Sequence, residues 1–232
     1  MNEPAYDLRS FGRIRGRKLS ARQDALLRDL LPKVAVDPAR PLAGRTGAIS
    51  LPAAQSRPLW LEIGFGGGEH LVWQARHHTD ADLIGCEPYV EGVVKVLSAI
   101  REERLGNVRI HAGDARDVLR CLPDASVGRA FVLFPDPWPK KRHVKRRLIN
   151  VDTLQLLARV MRPGAELRLA TDIGDYARTM LLALAAVPDL VWTAQSALDW
   201  RERPADWPQT RYEAKANRVG RRCMYLRIIR AS

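Results

Sequence analysis

Residues 59–77 read LWLEIGFGGGEHLVWQARH, and the order of these residue types decides the fold. The apolar run 59–65 predicts a buried strand, residues 64–68 a turn, and residues 69–77 a helix. Gly64, Gly66 and Gly68 give G-x-G-x-G between strand and helix. With no Cβ, glycine lets the backbone turn tightly and approach a ligand closely. The same glycines would also serve a tight connection that binds nothing.

The alternation continues outward from this unit. Further strands are predicted at 83–86, 108–112, 129–134, 166–170, 190–194 and 223–229, and helices at 90–104, 115–121, 150–161 and 176–186. Gly164 is expected to close the helix over 150–161. Strands that alternate with helices imply α/β architecture: a doubly wound, mostly parallel, seven-stranded, Rossmann-like sheet. Upstream, residues 21–31 predict a short helix with Leu26, Leu27, Leu30 and Leu31 on one face. Residues 37–58, with Pro38, Pro41, Pro52 and Pro58, read as a linker. The expected division is a basic N-terminal extension and linker, 1–57, and a catalytic-type domain, 58–232.

Ligands of such sheets bind beyond the carboxyl ends of the strands. Five predicted strands end in acid: Glu62, Glu87, Asp114, Asp136 and Asp172. A dinucleotide fingerprint would need a glycine at position 69, where this chain has Glu69. A carboxylate there would repel a pyrophosphate. S-adenosylmethionine carries a sulfonium, an ammonium and a carboxylate but no phosphate, so it tolerates nearby acid. Glu87, at the end of the second strand, is placed to accept from ribose hydroxyls. Asp114, in G-D-A, is placed to accept from an adenine amino group. Together with Glu62, Gly64, Gly66 and Gly68, these residues point to S-adenosyl-L-methionine and to the class I methyltransferase type of sheet. They do not name the substrate.

The net charge does more. It is +12, and half of the 38 Lys and Arg residues fall in three short segments, 9–22, 140–147 and 211–230. Clustering of that kind points to a polyanion, usually nucleic acid, rather than to general solubility. Residues 134–148 read FPDPWPKKRHVKRRL. Three prolines stiffen the exit from the fourth strand and fix Asp136 and Trp138. An aromatic ring beside a fixed polar group can stack on a base and bond its edge. The cations that follow, including Arg142, Lys145, Arg146 and Arg147, suit phosphate contacts, with His143 among them as an RNA contact or a bystander. Cys86, Cys121 and Cys223 are odd in number and far apart, which fits a reducing cytoplasm better than a disulfide framework or a zinc site. No metal site is expected. No apolar stretch approaches the length of a membrane span, and no membrane partner is expected.

These segments resemble the bacterial tRNA (guanine-N7-)-methyltransferase family. The match runs through RSFGR near the start, LEIGFGGG, GCEPY, GDA, FPDPWPKKRH, TDI at 171–173 and TRYE at 210–213, and it is weak over 32–58. The resemblance implies cofactor binding by Glu62, Glu87, Asp114 and Asp136, and substrate contact by Lys140, Asp172, Thr210, Arg211, Tyr212 and Glu213. It implies that Asp136 is catalytic and that the target is N7 of the variable-loop guanine at position 46 of tRNA. Val144 stands where the family often has a second histidine, and Arg211 and Tyr212 stand where it often has Lys and Phe. Guanine N7 has a free lone pair and no proton, so its methylation calls for alignment and charge stabilisation rather than a nucleophile or strong base. Two alternatives stay open on the residues alone: a methyltransferase of another RNA base or of a protein, and a non-catalytic RNA-binding protein with the same fold.

Overall fold

The computed structural model describes residues 12, 14, 16, 18–36, 38 and 57–232. Arg9, Arg13, Arg15 and Arg17 lie outside the described residues, as does most of the expected linker. The sheet has seven strands: β1 (Leu59–Ile63), β2 (Asp82–Cys86), β3 (Val108–His111), β4 (Val127–Leu133), β5 (Met161–Thr171), β6 (Leu190–Trp192) and β7 (Met224–Arg230). Their spatial order is β3-β2-β1-β4-β5-β7-β6. The five strands from β3 to β5 are parallel, and β7 runs antiparallel to both β5 and β6. The order reverses between β1 and β4, so a doubly wound sheet of this kind opens its ligand crevice beyond the carboxyl ends of those two strands.

The connecting helices are α3 (Glu69–His77), α4 (Val90–Glu103), α5 (Ala115–Cys121), α6 (Val151–Val160) and α7 (Gly174–Ala185). Their apolar stripes close a core on each face of the sheet. One gathers Leu61, Ile63, Leu119, Leu154 and Met180; the other gathers Leu71, Leu83, Val96, Leu97 and Ile110. Strands buried on both faces read as nearly continuous apolar runs, which is why the sequence reveals them.

The N-terminal helical segment is longer than expected. Helix α1 (Ala21–Ala25), a π-helical turn Leu26–Leu30, and α2 (Leu31–Val34) follow one another without a break. Ser20 starts it with a capping box, its Oγ accepting from the Gln23 amide at 3.4 Å while Gln23 Oε1 accepts from the Ser20 amide at 2.9 Å. Leu26 is buried against the second core. Beyond the helix, Ala35 bridges to Ile110 and the Val36 amide donates to the Ile110 carbonyl, covering the open edge of β3. This part of the expected extension is therefore docked on the sheet.

One expectation is corrected. Gly164 does not cap α6, which ends at Val160. It sits inside β5 with φ of 77°, where the pairing slips: Val127 faces Met161 but Arg129 faces Glu166. A left-handed glycine serves a strand irregularity as well as a helix end.

Candidate functional site

The glycine turn follows β1 directly. The Gly64 amide donates to the Cys86 carbonyl at 2.8 Å, and Gly64, Gly66 and Gly68 have φ of 73°, 55° and 81°. Gly66 is also crowded. A Cβ there would lie 3.0 Å from the Tyr212 ring, which covers the turn. The left-handed backbone adds a cost of about 1–2 kcal/mol for any other L-residue. Gly66→Ala is therefore expected to lower the melting temperature by several degrees and weaken ligand binding together, read by thermal denaturation and calorimetry.

Glu87 braces this turn. One carboxylate oxygen accepts from the Gly66 amide at 2.8 Å and the other from the Tyr89 amide at 2.9 Å. Burial pushes its carboxyl above the usual range, with the two amides pulling the other way. Because the Gly66 N–H is spent on Glu87, it is not presented to a ligand phosphate. Asp114 caps α5, accepting from the Arg116 amide and from Arg116 Nε, each at 2.9 Å, with Arg116 Nη2 also bound. Burial opposes its ionisation, but the Arg116 guanidinium and amide hold its carboxyl below the usual range.

Asp136 leaves the end of β4 on the other side of the crevice. Its loop is anchored by the Phe134 amide, which donates to the Ala170 carbonyl at 2.8 Å. Phe134 and Trp138 have φ of 52° and 43°, a left-handed conformation rare for bulky residues. Glu87, Asp114, Asp136, Trp138, Arg146 and Tyr212 line one cleft with the glycine turn, with a cavity volume of about 350 Å³. That volume suits a nucleoside-sized ligand. The cleft has three carboxylates and aromatic walls. The one thiol in its lining, Cys86, is buried and pushed far above its ordinary range, so it stays protonated. No cluster of His, Cys, Asp and Glu able to hold a metal ion occurs among the described residues.

Other expected site residues sit elsewhere. Glu62 does not line the cleft; it is buried, with Oε2 2.7 Å from His70 Nδ1. His70 Nε2 lies 3.0 Å from Gln74 Nε2, which assigns the ring proton to Nδ1 and makes Glu62 the acceptor. Asp172 accepts from Arg221 at 3.0 Å. Of residues 210–213, only Tyr212 lines the cleft. They open a helix that the sequence did not suggest, α9 (Arg211–Arg218), preceded by the single turn α8 (Leu198–Arg201). Thr210 is the N-cap of α9, its hydroxyl accepting from the Glu213 amide at 3.2 Å. Glu213 is buried and paired with Arg203 at 3.1 Å, and Arg211 reaches Glu69 at 3.4 Å. Lys140, Lys141, Arg142 and Lys145 are exposed, with Lys141–Arg146 forming a 3-10 helix. Trp138 faces His143 edge-on at 5.8 Å and lies under the Arg146 guanidinium at 5.1 Å. Arg147 corrects the expectation of an RNA contact: it is 2% exposed, with its N–H groups spent inside the fold.

The sequence also concealed one participant. Gly12 lines the cleft, and a Cβ on it would lie 3.6 Å from Asp136 Oδ2. The Ile14 carbonyl accepts from the Val90 amide at 3.0 Å, at the start of α4. The signal was the pair of glycines in a basic stretch: a Cβ on Gly16 would collide with Glu91.

Residues 56–226 match the model of a family described as putative methyltransferase. The chain is 47% identical to the tRNA (guanine-N(7)-)-methyltransferase of Rhodospirillum rubrum, over 97% of this chain and 88% of that protein. It is 42% identical to the enzyme of that name from Zymomonas mobilis, over 98% and 96%. Among solved structures, the 16S rRNA methyltransferase KamB superposes with a TM-score of 0.53 at 16% identity, covering 77% of this chain and 90% of that one. That likeness shows the shared fold, a class I methyltransferase sheet.

Proposed function

Since the chain belongs to the tRNA (guanine-N(7)-)-methyltransferase family, we propose that it methylates N7 of guanine in tRNA, at the variable-loop position. The observation that carries this is that Glu87 and Asp114, beyond β2 and β3, line a single cleft with Asp136 and Trp138, beyond β4. S-adenosylmethionine supplies an activated methyl group on a sulfonium. The cleft fits it better than a dinucleotide, because its acids would repel pyrophosphate and the Gly66 N–H is already donated.

In this reading Glu87 accepts from the ribose hydroxyls through its remaining lone pairs, and Asp114 accepts from the adenine amino group. The Gly64–Gly68 turn lets the backbone pass close to the ligand, and Glu62, through His70, holds the start of α3 behind it. Trp138 stacks on the target guanine. Asp136 accepts from the guanine N1–H and amino group and offsets the positive charge that the purine gains. Lys140, Lys141, Arg142 and Lys145, exposed beside the cleft, meet tRNA phosphates, with His143 at their edge. Tyr212 closes the cleft over Gly66, while Thr210, Arg211 and Glu213 hold α9 in place to present it. Asp172 fixes Arg221 near the same end of the sheet. Residues 58–232 make up the methyltransferase domain, and 1–57 extend it with basic charge. A reaction on tRNA calls for a cytoplasmic protein; no helix among the described residues is long and apolar enough to cross a membrane.

Two results test this assignment by calorimetry. Glu87→Ala should lose most S-adenosylmethionine affinity and keep tRNA affinity near wild type; unchanged cofactor binding would remove Glu87 from the site. The raised carboxyl of Glu87 also sets a pH dependence. Its charged form is the better acceptor, so cofactor affinity should fall on acidification at a higher pH than an ordinary exposed Glu would protonate. Glu87→Gln should flatten that dependence, and a wild-type affinity constant down to about pH 4 would contradict it.

A further inference from the structure

Arg147 closes a run of cations, yet it is the largest fully buried side chain among the described residues. Burying a guanidinium is costly unless its donors are matched. Here they are matched on two separate segments, the loop at Pro137 and the start of α7. Nε donates to the Pro137 carbonyl at 2.9 Å. Nη1 donates to Thr179 Oγ1 and to the Asp175 carbonyl, and Nη2 to the Asp175 carboxylate. The guanidinium carbon lies 4.9 Å from the centre of the buried Tyr176 ring. The Arg147 carbonyl accepts from Asn150 Nδ2 at 3.2 Å, and Asn150 caps α6. One residue thus links the start of α7, the start of α6 and Pro137.

Pro137 is the residue between Asp136 and Trp138, both of which line the cleft. Phe134 and Trp138 hold left-handed backbone on either side. Such strain persists only where the surroundings over-determine it. The Phe134 amide fixes the strand end of the loop through Ala170. On the far side, where proline supplies no N–H, the Pro137 carbonyl is held by Arg147.

We propose that Arg147 is a positioning residue for methyl transfer: a buried strut from α7 that sets the Pro137 carbonyl and, through it, the placement of Asp136 and Trp138 against the guanine. This rests on the function proposed above. It also separates Arg147 from its neighbours Lys141, Arg142 and Lys145, which face solvent. A lysine cannot replace it, because one ammonium on a flexible stem cannot reproduce a planar fork aimed at a carbonyl and a carboxylate together.

The test is Arg147→Lys in the full-length protein, measured three ways. Single-turnover methylation should fall by up to about 10²-fold, the size expected for a displacement near 1 Å. Affinities for S-adenosylmethionine and tRNA should stay within about threefold, with the salt dependence of tRNA binding unchanged, since every cation that meets phosphate is still in place. Hydrogen exchange should accelerate at the amides of Phe134, Asp136 and Trp138 and stay slow along β4. Weaker tRNA binding with a shallower salt slope would overturn the proposal in favour of a phosphate contact. An unchanged rate and unchanged exchange would also overturn it, as would a general loss of stability with a normal rate per folded molecule. If Arg147→Lys does not fold, Thr179→Val removes one far anchor and should give a smaller effect in the same direction; a wild-type rate and exchange pattern there would count against the strut. Exchange reads the loop without turnover, so absence of guanine methylation by the wild-type protein would sink the function while leaving the strut measurable.

Discussion

Asp136→Asn is expected to lower single-turnover methylation about 10²–10³-fold, by analogy with the loss of one oriented electrostatic partner. The side chain keeps its size, so the loop between Phe134 and Trp138 should keep its shape. What changes is charge and polarity. A carboxylate offers only acceptors to the guanine edge, which presents donors at N1–H and the amino group; an amide offers one acceptor and places a donor against them. The carboxylate that balanced the charge gained at N7 is also gone. The tRNA affinity should stay near wild type, because the exposed cations that follow are untouched. N7 carries no proton, so the pH–rate profile near neutrality should not depend on Asp136 as a base. Near-normal methylation by the variant would refute this role. Lost tRNA binding with an intact chemical step would make Asp136 a docking residue.

The second large effect belongs to the basic segment. Joint replacement of Lys141, Arg142 and Lys145 by Ala should reduce tRNA affinity at low salt by about one to two orders of magnitude. It should also flatten the salt dependence by about 0.7–0.9 log units for each phosphate that the variant no longer neutralises. These three are chosen because they are exposed. Arg146 is excluded because it lies over Trp138, and Arg147 because it is buried. Cofactor binding should be unaffected. An unchanged salt slope would show that this segment does not meet phosphate.

The five parallel strands and the helices after them were legible because strands buried within a sheet are short apolar runs, and each of these five leads to a helix with an apolar stripe. The carboxylates Glu87, Asp114 and Asp136 were legible because the end of a strand is a fixed place in a parallel sheet. Less visible was whatever depends on a side chain's direction. Glu62 occupies a strand end like the others, but it faces His70. Arg147 is one of six Lys and Arg residues in eight positions, and nothing in such a run marks the one that turns inward. The helix α9 escaped because its buried residues are Glu213 and Ala216, a face that hydrophobic periodicity does not register. Gly164 was misplaced because a left-handed glycine marks a change of direction without saying which kind.

Methylation at guanine N7 is tested by nucleoside analysis of tRNA incubated with the purified protein and S-adenosylmethionine carrying an isotopic methyl label. Wild-type protein should form labelled 7-methylguanosine at the variable-loop guanine, and Asp136→Asn should form far less. Label in a different nucleoside, or tRNA that binds and stays unlabelled, would contradict it.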